Sequence, residues 1–208
     1  MASTASLMEL MRAIAAGDEV AASRLLLASP ELARGALVEG ATREGAKDYW
    51  FKEIDHYIYR GDTALHAAAA AYRHGIAGKL LKAGANVDAR NRRGVEPLHY
   101  AADGGPGSRS WNPTAQAATI AMLIAAGADP NAADNSGVTP LHRAVRTRCA
   151  AAVQALLEGG ADALRENKSG STPMRLAMLT TGRGGSGSAE AKAQQGEIVR
   201  LLEQHGAR

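Results

Sequence analysis

The sequence predicts an all-α fold, a solenoid of stacked helix pairs, and three observations lead to it. Its 46% hydrophobic content comes mainly from alanine and leucine, a composition that favours helices packed closely through small side chains. Four segments then share one pattern of a glycine, a Thr-Pro-Leu-His-like tetrad and alanines: Gly61 to Ala68, Gly94 to Ala101, Gly137 to Ala144 and Gly170 to Ala177. A second pattern, an apolar pair followed by Gly-Ala, recurs at Leu80-Leu81…Gly84-Ala85, Leu123-Ile124…Gly127-Ala128, Leu156-Leu157…Gly160-Ala161 and, degenerately, Leu202-Glu203…Gly206-Ala207. Self-similarity at a fixed spacing is the mark of a repeat architecture.

The first series of glycines is spaced by 33, 43 and 33 residues and the second by 43, 33 and 46. The underlying period is therefore 33, with ten extra residues between the halves of the Gly94 unit and thirteen between the halves of the Gly170 unit. Each position has a local reason. Gly61, Gly94, Gly137 and Gly170 suit a turn that needs positive φ. Thr63, Thr139 and Thr172 suit a helix N-cap, and Pro97, Pro140 and Pro173 the first helical position, where a missing N–H costs little. The glycines at 84, 127, 160 and 206 suit helix ends. Upstream, Leu7, Met8, Leu10, Met11 and Ile14 lie at helical spacing, Gly17-Asp18 turns the chain into Val20–Leu27, and Ser29-Pro30 closes that unit.

These residues closely resemble the ankyrin-repeat family, in which each unit is a β-turn finger followed by two antiparallel helices. Thr139-Pro140-Leu141-His142, with Gly127-Ala128-Asp129 upstream, is the best match. The resemblance implies an α-solenoid of about five ankyrin repeats in a single domain over residues 1–208. The units are expected at 5–31, 57–88, 90–131, 133–164 and 166–208, the first lacking a finger, with an aromatic insertion at 32–56. It also implies that His66, His99 and His142 make structural hydrogen bonds to the turn or threonine. Ala64, Glu96 and Arg175 depart from the tetrad, so its hydrogen bonding is expected to be weakest in the Gly94 and Gly170 units, at roughly 1 kcal/mol for each lost cap.

Composition narrows the function classes. A net charge of +3 falls short of the dense basic clustering that nucleic-acid binding requires. The lone Cys149 can form neither an internal disulfide nor a zinc cluster, and it reads either as a thiol activated by Arg148 or as a buried small residue. No leader peptide is visible and no run approaches the ~20 apolar residues of a membrane span, so a cytoplasmic monomer without cofactor or metal is expected. Neither glycine-rich stretch contains G-x-x-x-x-G-K-[ST]. His56, His74 and His205 lack metal-ligand spacing. His56, beside Asp55, is the acid/base candidate, but no second constellation accompanies it, and an enzyme is not expected.

Binding residues are expected where the chain departs from the repeat and where its fingers are exposed. The linker before the Gly61 unit holds Tyr49, Trp50, Phe51, Tyr57 and Tyr59, with strand-like composition over 54–59, and reads as a hairpin or as a helix followed by a strand. It serves either as a cap for the solenoid end or as an exposed aromatic surface. The glycine-rich loops 103–113 and 181–188 are tolerated surface loops on one reading. On the other they wall a basic cleft with Trp111, Arg109, Arg143, Arg146, Arg148 and Arg183, suited to a small anion, a nucleotide or an acidic peptide. The family resemblance implies a partner gripped by finger tips and inner-helix ends. Carried onto this chain, and taken with Trp111 of the loop, that face gives Tyr57, Tyr59, Arg60, Arg90, Arg92, Arg93, Asp103, Trp111, Arg146 and Lys168. Tyrosine and arginine dominate interface energetics, and an acidic protein surface or peptide is the expected partner.

Overall fold

The computed structural model describes residues 4–179 and 188–208. Five helix pairs follow one another: α1 Thr4–Ala16 with α2 Glu19–Ala28, α3 Ala64–Ala70 with α4 His74–Lys82, α5 Pro97–Ala101 with α6 Pro113–Ala125, α7 Pro140–Thr147 with α8 Ala150–Glu158, and α9 Pro173–Met178 with α10 Ala189–Gln204. The odd-numbered helices touch in succession as an inner layer and the even-numbered helices as an outer one. Small side chains make this stacking possible. All seven residues of α3 are buried, five of them alanine, so its backbone lies close to both neighbours. Leu65, Leu80, Leu98, Leu123, Leu141, Leu156 and Leu202 fill the space between layers, each burial contributing about 2 kcal/mol.

The tetrads act as expected. Thr63, Thr139 and Thr172 occupy N-caps, and Pro97, Pro140 and Pro173 start their helices. In three successive units the histidine couples two repeats. Its Nδ1 accepts the N–H of Thr63, Glu96 or Thr139 at 3.1–3.3 Å. The proton therefore sits on Nε2, which donates to the next finger: His66 to Val95 O at 3.1 Å, His99 to Val138 O at 3.1 Å and His142 to Ser171 O at 3.0 Å. Burial pulls all three imidazoles below the ordinary histidine range, His99 to about 3.

The weakness expected in the Gly94 unit is not found at its cap. The Glu96 carboxylate receives the helix N–H in place of threonine, and burial lifts that carboxyl to about 7 against the pull of Arg90. In the Gly170 unit Thr172 still caps, through Arg175 N at 3.1 Å, but Arg175 provides no histidine link.

Backbone bonds join the fingers, with Arg92 N donating to Arg60 O, Asn135 N to Arg93 O and Lys168 N to Ser136 O at 2.9–3.1 Å. The stretch assigned to an insertion extends this ladder, since Leu37 N donates to Asp62 O at 2.9 Å, Gly61 N to Leu37 O at 2.8 Å and Ala41 N to Ile58 O at 2.8 Å. The aromatic segment contains a short 3-10 helix at Lys47–Tyr49 and a two-stranded hairpin, β1 Trp50–Phe51 and β2 His56–Tyr57, with Trp50 opposite Tyr57. Phe51, Ile54 and Ile58 are buried as a cap, while Tyr57 is exposed. Among the described residues no helix is long and apolar enough to cross a membrane.

Candidate functional site

The hairpin leans over the inner helices and meets the glycine-rich loop that follows α5, and a cleft of about 770 Å³ lies between them. Its floor is polar and firmly built. Arg143, buried on α7, donates to Asp103 Oδ2 at 2.9 Å and approaches Asp134 Oδ2 at 3.4 Å. His56 Nε2 stands 3.8 Å from the same Asp103 oxygen, its Nδ1 is 2.7 Å from Tyr57 O, and its ring packs on that of Tyr100 at 4.2 Å. Partial burial raises the Asp103 carboxyl, but the His56 and Arg143 contacts outweigh it and hold the group well below the usual carboxylate range.

Beneath the floor, the fully buried Asp62 accepts from Tyr59 N at 2.6 Å, Tyr100 Oη at 2.7 Å and Asn91 Nδ2 at 2.8 Å. Burial and the neighbouring Asp62 keep the Tyr100 hydroxyl far above the ordinary phenol range, so it remains a donor. This network fixes the finger from which Tyr59 enters the cleft wall.

One wall is the hairpin, where the rings of Trp50 and Tyr57 lie 4.5 Å apart. Arg12 pins it from α1 by donating to Asp48 O at 3.0 Å and lying over the Phe51 ring. The opposite wall is Gly104-Gly105-Pro106-Gly107-Ser108, and two of its glycines are obligatory. A Cβ on Gly104 would come 1.9 Å from the Tyr72 hydroxyl, and one on Gly105 1.7 Å from Thr147 O. Tyr72 itself holds the loop's entrance by donating to Asp103 O at 2.7 Å. The backbone of this loop is seated against two helix ends.

The structure brings together part of the expected set. Tyr57, Tyr59, Arg93, Asp103, Arg143 and Arg146 line the cleft. Arg92 and Arg93 both lie over the Tyr59 ring, and Arg92 also reaches Ala41 O at 2.6 Å. Arg60, Arg90 and Arg92 surround a separate shallow depression of about 480 Å³. Arg90 donates to Ala133 O at 2.6 Å, and Lys168, apart from the cleft, to Asn135 O at 2.9 Å. Arg109 is exposed on the loop but does not line the cleft, and Trp111 packs against the core.

Arg148 needs correction as a cleft cation. It is buried and donates to Ala177 O at 2.7 Å and to Leu179 O, so its charge is spent on the end of α9. Arg143 is likewise bound up with two carboxylates. Arg183 and the loop to which it belongs lie outside the described residues. Cys149 is buried, and burial raises its thiol, the opposite of an activated nucleophile. Among the described residues no cluster of His, Cys, Asp or Glu is arranged to hold a metal.

Sequence reasoning overlooked Tyr72 and Asn91 as parts of the site, while Trp50 and Ser108 lie in segments that it marks. Tyr72 had a signal: it stands eleven residues after its finger glycine, as Arg148 does, and both adopt positive φ, 55° and 64°.

Comparison with known proteins adds the family. Residues 60–92 match a model described as an ankyrin repeat, and residues 123–177 one described as ankyrin repeats in many copies. No curated protein matches the chain. The matched segments coincide with the finger and helix pairs described above, and over them the chain carries ankyrin repeats.

Proposed function

We propose that this chain is a non-catalytic binding module that holds another protein on its finger and inner-helix face, with the cleft under the hairpin as the centre of the contact. Ankyrin repeats generally mediate binding to other proteins. The observation that carries the reading here is a cleft built by the two segments that depart from the repeat, presenting Tyr57, Arg93 and Arg146 at its surface. Exposed Tyr and Arg beside a formed concavity are the groups that anchor protein interfaces. The His56 and Asp103 pair favours binding over catalysis, since Asp103 is neutralised by Arg143 and His56 is committed to Tyr57 O and the Tyr100 ring.

A comparative pull-down from the native host tests this reading. Wild-type protein and a Glu158→Ala control on the outer helix α8 should recover the same partner, and the triple variant Tyr57→Ala, Arg93→Ala, Arg146→Ala should lose it. Recovery of that partner by the triple variant at wild-type level would count against this face.

A further inference from the structure

We infer that the fingertip depression walled by Arg60, Arg90 and Arg92 takes up an acidic segment of the partner protein, its carboxylates paired to Arg60 and Arg92 and an apolar side chain resting on Val38. The inference rests on the protein-binding reading above and adds to it a second area of contact with a defined chemistry.

Charge sets the sign of the ligand. The depression, of about 480 Å³, is lined by three arginines and by no carboxylate. Arg92 donates to Ala41 O and Arg90 to Ala133 O, both at 2.6 Å. A carbonyl fixes a guanidinium in place without cancelling its charge, so these bonds hold the cations ready. Arg90 also stands 3.8 Å from Glu96. Burial lifts that carboxyl to about 7, so it offsets Arg90 only in part at neutral pH. Arg60 is exposed, and its side chain has no hydrogen-bond or ion-pair partner among the described residues. A concavity walled by one sign of charge focuses its field on a ligand of the other, and like charges gathered this closely repel until one arrives.

The ladder between fingers puts the cations side by side. Arg92 N donates to Arg60 O at 2.9 Å, so the two residues stand on neighbouring fingers about one strand spacing, ~5 Å, apart. Arg92 and Arg93 lie over the Tyr59 ring, at 5.4 and 5.1 Å from its centre. Tyr59 and Arg93 also line the cleft under the hairpin. The depression and the cleft therefore adjoin across one tyrosine, and a segment leaving the cleft crosses the arginines.

An apolar group beside the cations favours a protein segment over a nucleic-acid strand. Val38, on the rim of the same depression, is 67% exposed, and a sugar-phosphate backbone has nothing apolar to cover it. Alternate side chains of an extended chain lie on one face roughly 7 Å apart. An acid can then reach Arg60 or Arg92 while the next residue on that face covers Val38. The arginines are confined to one fingertip junction of a chain whose net charge is only +3, unlike the long basic stripe of a nucleic-acid binder.

Selection from phage-displayed random peptides, run in parallel on the full wild-type chain and on Arg60→Glu/Arg92→Glu, tests this. The wild type should enrich sequences with Asp or Glu two positions from an apolar residue, and the variant should not. Synthetic copies should bind, by fluorescence anisotropy, at least about tenfold more weakly to Arg60→Glu, and to the wild type after replacement of their acids by Asn or Gln. Arg60→Glu removes no contact within the protein, so its result stands even where the Arg92 change disturbs the hairpin edge, and circular dichroism verifies the fold of each variant. Enrichment without acids, equal binding by Arg60→Glu, or no wild-type enrichment would overturn the inference. Retention of a single-stranded oligonucleotide that depends on Arg60, with no selected peptide, would assign the ridge to nucleic acid and overturn it as well. A host partner recovered equally by wild type and Arg60→Glu/Arg92→Glu, yet lost after Tyr57→Ala, would remove this inference and leave the protein-binding reading standing.

Discussion

The junction between α7 and α9 and the junction between α3 and α5 occupy equivalent places in the repeat, and they use one device in two ways. In each, the residue eleven past the finger glycine takes a left-handed backbone and sends its side chain to the C-terminal end of the next inner helix. At the first junction that residue is Arg148, which donates to Ala177 O and Leu179 O and is buried in doing so. At the second it is Tyr72, which donates once, to Asp103 O at 2.7 Å, and leaves the Asp103 carboxylate to Arg143 and His56. The difference teaches how a binding cleft is set into a repeat protein. Where the unit follows the pattern, polar groups are consumed by the neighbouring unit. Where ten residues are added, the same anchoring holds a glycine wall beside a cleft.

Acid should break the repeat side of this comparison most widely. His66, His99 and His142 are each held neutral, with folded pKa values below the ordinary one because burial disfavours the charged ring. The unfolded chain therefore binds more protons, and stability is fully present above about pH 6.5 and falls as pH drops through that value. Each histidine adds a slope of about 1 kcal/mol per pH unit. Glu96, whose carboxyl is raised to about 7, acts with the opposite sign between about pH 7 and 4. One group cannot offset three, so urea midpoints measured from about pH 6.5 down to 5 should fall throughout. A flat profile would mean that the imidazoles do not carry the links between units.

Next in size is Arg148→Met. The substitution keeps an unbranched apolar stem but removes both donors, leaving Leu179 O without that partner and Ala177 O with Gln195 Nε2 alone. The expected loss is about 2 kcal/mol, read by urea unfolding. Hydrogen exchange should rise in α9 and α10 while protection in α3 and α5 is retained. A loss spread evenly over the chain would show that Arg148 is not a local link.

Much of the repeat frame was legible because it depends on local chemistry. Threonine caps, first-turn prolines and glycines at helix ends satisfy backbone needs within a few residues, and spacing exposes them. Asn91, Asp134 and Asn167 carried the same kind of signal, each three residues before a finger glycine and each folding its side chain onto the turn's N–H groups. The cleft was only half legible. The sequence marks the hairpin and the glycine loop as departures, but their meeting depends on how far each leans across the inner helices, which no local rule sets. Arg148 and Arg146 are two residues apart and alike in composition. One is buried and the other exposed because Arg148 itself takes the left-handed backbone that turns the chain from α7 towards α8, a distinction that charge alone does not reveal.

The smallest expected effect separates the two junctions most cleanly. Tyr72→Phe removes one hydroxyl donor and keeps the ring, so the loss of stability should be about 1 kcal/mol, well below that of Arg148→Met. Its consequence for the cleft should be larger than its consequence for the fold. The Asp103 carbonyl loses its anchor at the point where the chain enters Gly104, and Gly105 still needs to lie against Thr147 O. Hydrogen exchange over residues 104–110 should therefore rise, while the histidine-linked fingers keep their protection, because none of their bonds involves Tyr72. Binding at the cleft should weaken by a few-fold even though neither arginine has been touched. If Tyr72→Phe lowers stability yet leaves exchange in that loop unchanged, the hydroxyl is only a core contact, and the parallel with Arg148 fails.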